Sequence, residues 1–254
     1  MNKLRATIAL IAILTAASPA TSADKDNRLD LTGADELSAW QGDCDGWVVA
    51  GDAALNPQDE RALVPEPGRG VLISVLKGLA EFRNLSSKES FGDQEVHVEF
   101  LIPHGSNAGV KIQGLYEIQI ADSHGKAKST ASDCGGIYPR AELTPRYHTI
   151  DEGVPPRINA AGPAGQWQQL DVVFRAPRFD IEGSKTENAR FVKVVLNGQV
   201  IHEDVELPWP TGHAWRKEKE VARGPLFLQG DHGPVAYRNI HVKTWNCREA
   251  TGEE

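Results

Sequence analysis

The stretch Lys111-Ile112-Gln113-Gly114-Leu115-Tyr116-Glu117-Ile118-Gln119-Ile120-Ala121-Asp122 reads as two short strands joined near Gly114. Side chains alternate faces along a strand. In the second run Tyr116, Ile118 and Ile120 share one face, and Glu117 and Gln119 share the other. In the first run Ile112 points one way and Lys111 and Gln113 the other. A face of Lys, Gln, Glu and Gln has two readings. It is the wet side of an antiparallel sheet, or it is a polar wall against which a ligand lies.

The same alternation recurs outward in both directions. In Gln94–Leu101, Val96, Val98 and Phe100 oppose Glu95, His97 and Glu99, with His97 read as a surface residue. In Trp167–Arg175, Leu170, Val172 and Phe174 share a face. Phe191–Val205 holds two alternating runs around Asn197-Gly198, the pair a type I′ hairpin turn prefers. Further strands are expected at Trp47–Ala50, Val71–Val75, Ala80–Arg83, Leu226–Gln229 and Val235–Trp245. Residues 54–69, with Pro57, Pro65, Pro67 and Gly68, read as loop. Ser123–Pro163 reads as a long loop folded over a site. The charged run Trp215–Arg223 reads as a short helical turn. About eleven short strands with almost no helical period predict an all-β, antiparallel sandwich.

The chain has 254 residues and a formal charge of −8. Lys3 and Arg5, the apolar run Ala6–Ala17 and the small-x-Ala site Thr21-Ser22-Ala23 read as a signal peptide over residues 1–23. The protein is therefore expected in the periplasm or outside the cell. Removing Lys3 and Arg5 takes the charge from −8 to −10, which argues against a nucleic-acid partner. No segment is apolar for long enough to span a membrane. Residues 24–46 read as a lead-in, 47–247 as the sandwich and 248–254 as a tail. Oligomeric state is left open. Of the three cysteines, Cys44 and Cys247 flank the strands and are the preferred disulfide pair, with Cys134 free.

A set of motifs in fixed order resembles the 3-keto-disaccharide hydrolase domain family from about Trp47 to Trp245. They are Phe91-Gly92-Asp93, Ser106-Asn107-Ala108-Gly109-Val110, Tyr116 to Asp122, Gly135-Gly136-Ile137-Tyr138, Gly165-Gln166-Trp167, Leu196-Asn197-Gly198, Leu228-Gln229-Gly230-Asp231-His232-Gly233 and Tyr237-Arg238-Asn239-Ile240. The resemblance implies a concanavalin-like jelly roll acting on glycosides oxidised to a ketone at carbon 3. One departure is Gly230, which separates Gln229 from Asp231-His232-Gly233 where many members have Gln directly before Asp.

A ketone at carbon 3 acidifies the proton on carbon 2. A base removes it, the enolate expels the group on carbon 1, and water adds back. That chemistry needs a base, a group to steady the enolate oxygen and an acid. Glu117, Asp122 and His232 are the candidate acids and bases, and Lys111, Arg140 or Tyr138 the candidates to steady the enolate. Asn107, Gln113, Gln119, Gln229 and Asp231 are expected to bind the sugar beside Tyr138 and Arg140. In the alternative, Glu117, Asp122 and His232 hold a divalent metal that polarises the ketone. An ordinary retaining glucanase needs two carboxylates about 5 Å apart, and here Gln119 occupies the alternate position after Glu117. A non-catalytic carbohydrate-binding jelly roll is the remaining alternative, since one fold hosts both classes.

Overall fold

The computed structural model describes residues 28–32, 37–41, 44, 46–74 and 84–245. Its strands run in order as β1 (Arg28–Asp30), β2 (Trp40–Gln41), β3 (Trp47–Asn56), β4 (Asp59–Ser74), β5 (Leu85–Phe91), β6 (Gln94–Leu101), β7 (Asn107–Ile112) and β8 (Tyr116–Ala121). They continue as β9 (Ala141–Glu142), β10 (His148–Thr149), β11 (Gln168–Arg175), β12 (Arg178–Phe179), β13 (Lys185–Glu187), β14 (Ala189–Leu196) and β15 (Gln199–Leu207). A four-residue helix, α1 (Ala214–Lys217), precedes β16 (Gly224–Gln229) and β17 (Val235–Thr244).

Two antiparallel sheets make a jelly-roll sandwich. One has eight strands, in the order β15-β14-β11-β6-β17-β4-β3 with β1 against β17. The other has five, in the order β2-β5-β16-β7-β8. The alternating apolar positions meet between them. Tyr116, Ile118 and Ile120 of β8 join Val96, Val98, Phe100, Leu170, Val172 and Phe174 in one core. The Phe174 ring stands between Tyr116 and Phe191, with centroids at 5.4 and 5.6 Å. His97 lies on the outer face of the larger sheet and is bonded to Asp171 at 2.6 Å.

The Asn197-Gly198 turn has φ of 50° and 77°, as a type I′ hairpin requires. The lead-in contributes to the fold: β1 pairs with β17, β2 pairs with β5, and Trp40 is buried. Residues 54–69 are not a loop. The β3–β4 hairpin carries through them with pairs such as Ala53↔Pro65 and Leu55↔Leu63. β17 pairs with β4 only over Val71–Ser74. The earlier part of β4 therefore has an open side, where Pro65 and Pro67 forgo no ladder bond. Ala80–Arg83, Cys247 and residues 1–23, where a signal peptide is expected, lie outside the described residues, and no helix among those described is long and apolar enough to cross a membrane.

Candidate active site

The polar face of the five-stranded sheet points away from the core. Its register forms rungs across β16, β7 and β8: Phe227–Lys111–Glu117 in one and Gln229–Gly109–Gln119 in the next. Asn107 follows on β7, and its Oδ1 accepts from Gln119 Nε2 at 2.6 Å. The outer edge of β8 is taken up by loops. Glu117 N donates to Thr211 Oγ1 and Gln119 N to Gly136 O, while Gly135 N donates to Gln119 O and Tyr138 N to Glu117 O. These loops build the walls of a cleft of about 470 Å³. Tyr138, Leu143 and Tyr147 form one wall, and Gly212 and His213 another. The Tyr147 hydroxyl donates to that of Tyr138 at 2.9 Å.

Glu117 is 4% exposed at the floor of this cleft. Burial raises its pKa, and Lys111, with Nζ 3.3 Å from Oε2, opposes that rise without cancelling it. The result is a carboxylate of increased basicity. A Cβ on Gly109 would collide with the Glu117 carboxyl group, so glycine is what lets that side chain lie flat across β7.

His232 faces the same cleft from the turn after β16. Its Nδ1 is 2.6 Å from Asp231 Oδ1, and this hydrogen bond raises the histidine pKa against burial. Burial pushes the Asp231 carboxyl up, but its bonds to His232 and Asn84 outweigh that and leave it below the ordinary value. The extra Gly230 is accommodated at both ends: its N–H donates to Asn84 Oδ1 at 2.9 Å, and its carbonyl accepts from Ser74 Oγ at 2.8 Å. Tyr237 supports the sheet below, donating to Gln229 O at 3.0 Å.

Thus Lys111, Glu117, Gln119, Asn107, Gln229, His232 and Tyr138 line one cleft, with Asp231 bonded directly behind His232. Three expected residues are elsewhere. Asp122 follows the end of β8 and accepts from Gly105 N at 3.0 Å, bracing the 103–106 turn. Gln113 opens the β7–β8 turn with φ 57°, which ends the alternation at Ile112. Its buried Nε2 donates to Phe91 O and Ala222 O. Arg140 pairs with Asp151 at 2.7 Å and lies near the Trp209 and Trp215 rings, in a separate recess. The metal trio Glu117, Asp122 and His232 is therefore not assembled, and among the described residues no three His, Cys, Asp or Glu side chains are grouped to hold an ion. Cys44 packs against the core. Cys134 is buried, which pushes its thiol up to about 12.

Sequence reading missed Tyr147, Leu143 and His213. His213 follows Pro208-Trp209-Pro210-Thr211-Gly212, a Pro- and aromatic-rich stretch that itself marks a structured loop. Burial lowers the His213 pKa, with Lys217 and Lys111 adding to the effect.

No curated protein sequence matches the chain significantly. Solved structures share its fold. A protein from Parabacteroides distasonis ATCC 8503, provisionally described as a glycosyl hydrolase, superposes with TM-score 0.64 at 22% identity, over 86% of this chain and 84% of that one. Two more proteins of the same provisional description and organism give 0.55 at 13% identity (89% and 99% covered) and 0.54 at 18% (86% and 99%). Residues 30–243 match the 3-keto-alpha-glucoside-1,2-lyase-like domain. With nearly all of the sandwich inside that match, the chain belongs to the 3-keto-alpha-glucoside-1,2-lyase-like family of carbohydrate-active enzymes.

Proposed function

We propose that this protein cleaves the glycosidic bond of glycosides carrying a ketone at carbon 3, by elimination followed by hydration. The observation that carries the reading is a single deeply buried carboxylate, Glu117, sharing its cleft with an imidazole whose pKa a second carboxylate, Asp231, raises. Elimination next to a ketone needs one base and one acid of different pKa.

Glu117 takes the carbon-2 proton, and the electron pair moves into the ketone to give an enolate, whose oxygen the Lys111 ammonium steadies. The enolate then re-forms the ketone, and its carbon–carbon double bond shifts to carbons 1 and 2. The bond from carbon 1 to its oxygen breaks, and that oxygen takes its proton from His232. Water adds back across the double bond, so the net change is hydrolysis. Gln119, Asn107 and Gln229 supply donors and acceptors for the sugar hydroxyls, and the Tyr138–Tyr147 pair closes the mouth. The expected metal ligands are not gathered among the described residues, and the side chains of the cleft carry each step themselves.

An ordinary retaining glycosidase would need a second carboxylate in the same cleft, and among the described lining residues Glu117 is alone in kind. The N-terminal run is proposed to export the protein, so that it meets its sugar outside the cytoplasm. The test is product release from a 3-keto glucoside beside its unoxidised parent, each with and without a chelator. Release from the keto sugar alone is expected. Release from both would restore the ordinary glycosidase, and binding without release would point to a carbohydrate-binding module.

A further inference from the structure

The small sheet delivers a third side chain to the His232 turn. β5 pairs with β16 through Leu85↔Leu228, so Asn84, one residue earlier, stands level with the end of β16. Its side-chain amide meets the turn twice. Oδ1 accepts from Gly230 N at 2.9 Å, and Nδ2 donates to Asp231 Oδ2 at 2.9 Å. The other oxygen of that carboxylate, Oδ1, lies 2.6 Å from His232 Nδ1. We propose that Asn84 is a positioning residue for His232: it aims the Asp231 carboxylate at Nδ1, and so leaves Nε2 as the nitrogen that meets a substrate. That Nε2 serves as the acid rests on the function proposed above. The chain of bonds from Asn84 through Asp231 to His232 is a property of the free protein.

The need for such a residue follows from where the pair sits. Asp231 and His232 are consecutive, and both lie outside the strands. The Asp231 side chain is 33% exposed and that of His232 54%. A pair this open gains little by itself, because the freedom of both side chains opposes the one arrangement that joins them. Anchoring Oδ2 removes the freedom of Asp231 before His232 is engaged. Each carboxylate oxygen accepts on its own account, so the two bonds do not exclude each other. The amide is also neutral, so it holds the carboxylate without placing a competing positive charge beside it. Acid and base side chains oriented by a third group follow the same logic in other sites.

The turn's backbone has a separate hold. Ser74 Oγ donates to Gly230 O at 2.8 Å, but of the two residues bonded to Gly230 only Asn84 also reaches the carboxylate. This separates two roles. If Asn84 aims the carboxylate, its loss lets Asp231 turn to solvent, and the His232 pKa falls back toward the ordinary value. If Asn84 merely competes for the carboxylate, its loss concentrates that charge on the imidazole, and the His232 pKa rises. The other titratable groups around His232 are Glu117 and Lys111 on the sheet, His213, Glu218 and Lys219 from the segment around α1, and the two wall tyrosines. Substitution at Asn84 leaves all of them in place.

The test is an NMR titration of the His232 imidazole without substrate, its signal assigned with His232→Gln. The native protein is compared with Asn84→Ala, Asn84→Leu and Ser74→Ala. Asn84→Leu keeps the bulk of the side chain, which guards against a loss of fold in the smaller variant. Both Asn84 variants should lower the His232 pKa by about half a unit or more, a shift within reach of one hydrogen bond. Ser74→Ala loosens the turn without touching the carboxylate and should leave that pKa in place. The alkaline limb of kcat/KM on a 3-keto glucoside should move to lower pH in step with the Asn84 titrations. An unmoved or raised His232 pKa in both Asn84 variants would overturn the assignment, as would an equal fall in Ser74→Ala. Failure of the native protein to cleave the keto sugar would instead remove the proposed function, and the titration would still decide whether Asn84 positions His232.

Discussion

The carboxyl group of Glu117 lies directly against the backbone of Gly109, with no space between them for a methyl group. The two residues are diagonal neighbours on β8 and β7, whose direct pairs are Glu117–Lys111 and Gln119–Gly109. Gly109→Ala should therefore push the base out of position. Overpacking of this kind costs on the order of 1–3 kcal/mol. A lowered Tm is expected, with kcat/KM reduced about 100-fold or more. Wild-type kinetics in this variant would show that the carboxylate's position is not critical.

Glu117→Gln keeps the shape and removes the base. Loss of one positioned base typically costs roughly 10² to 10⁴ in rate. The variant should be inactive to that degree with an unchanged circular dichroism spectrum. Its Tm should be equal or higher, because a buried charge is replaced by a neutral amide. Retained turnover would remove Glu117 from the mechanism.

The pH profile of kcat/KM should be bell-shaped. Activity rises as Glu117 loses its proton, and burial moves that limb above the ordinary glutamate value of about 4.3. Activity falls as His232 loses its proton, and the Asp231 hydrogen bond moves that limb above about 6.5. Asp231→Asn removes the carboxylate that favours the imidazolium. Its alkaline limb should shift to lower pH while the acid limb stays in place. An unmoved alkaline limb would mean that another group sets it.

Phe174 has its ring between Tyr116 of the smaller sheet and Phe191 of the larger, and is fully buried. Phe174→Ala should destabilise the sandwich by about 3–5 kcal/mol. Denaturant titration measures this as a lower midpoint at unchanged slope.

Cys134 has its thiol pushed up to about 12 by burial, so almost none is thiolate near neutrality. A maleimide at pH 8 should leave Cys134 unmodified in the native protein and label it in urea, as read by peptide mass spectrometry. Labelling without denaturant would show that the interior opens around it.

The two-faced character of β8 was legible because it obeys a local rule. Tyr116, Ile118 and Ile120 need a core, and their alternation leaves Glu117 and Gln119 on the other side. The Asn197-Gly198 hairpin was legible for the same reason. Gln113 was expected on the strand face of Lys111, but the turn starts one residue before the glycine that announces it, at a non-glycine φ of 57°. Residues 54–69 were misread because proline excludes a strand only where both sides are paired, and pairing is a property of neighbours distant in sequence. Tyr147 and His213 were invisible because they reach the cleft through loops. Their place depends on bonds such as Thr211 N to Leu115 O and Gly212 N to Pro139 O, which no periodicity records.

Those loop bonds have a second consequence. β8 is the terminal strand of its sheet, and an open terminal strand offers its backbone to any passing chain as a template for intermolecular association. Here the N–H and C=O of both Glu117 and Gln119 are already taken by Thr211, Tyr138, Gly136 and Gly135. The segments that wall the cleft thus also keep the strand bearing Glu117 from seeding aggregates. A substitution that loosens them should reduce solubility together with activity.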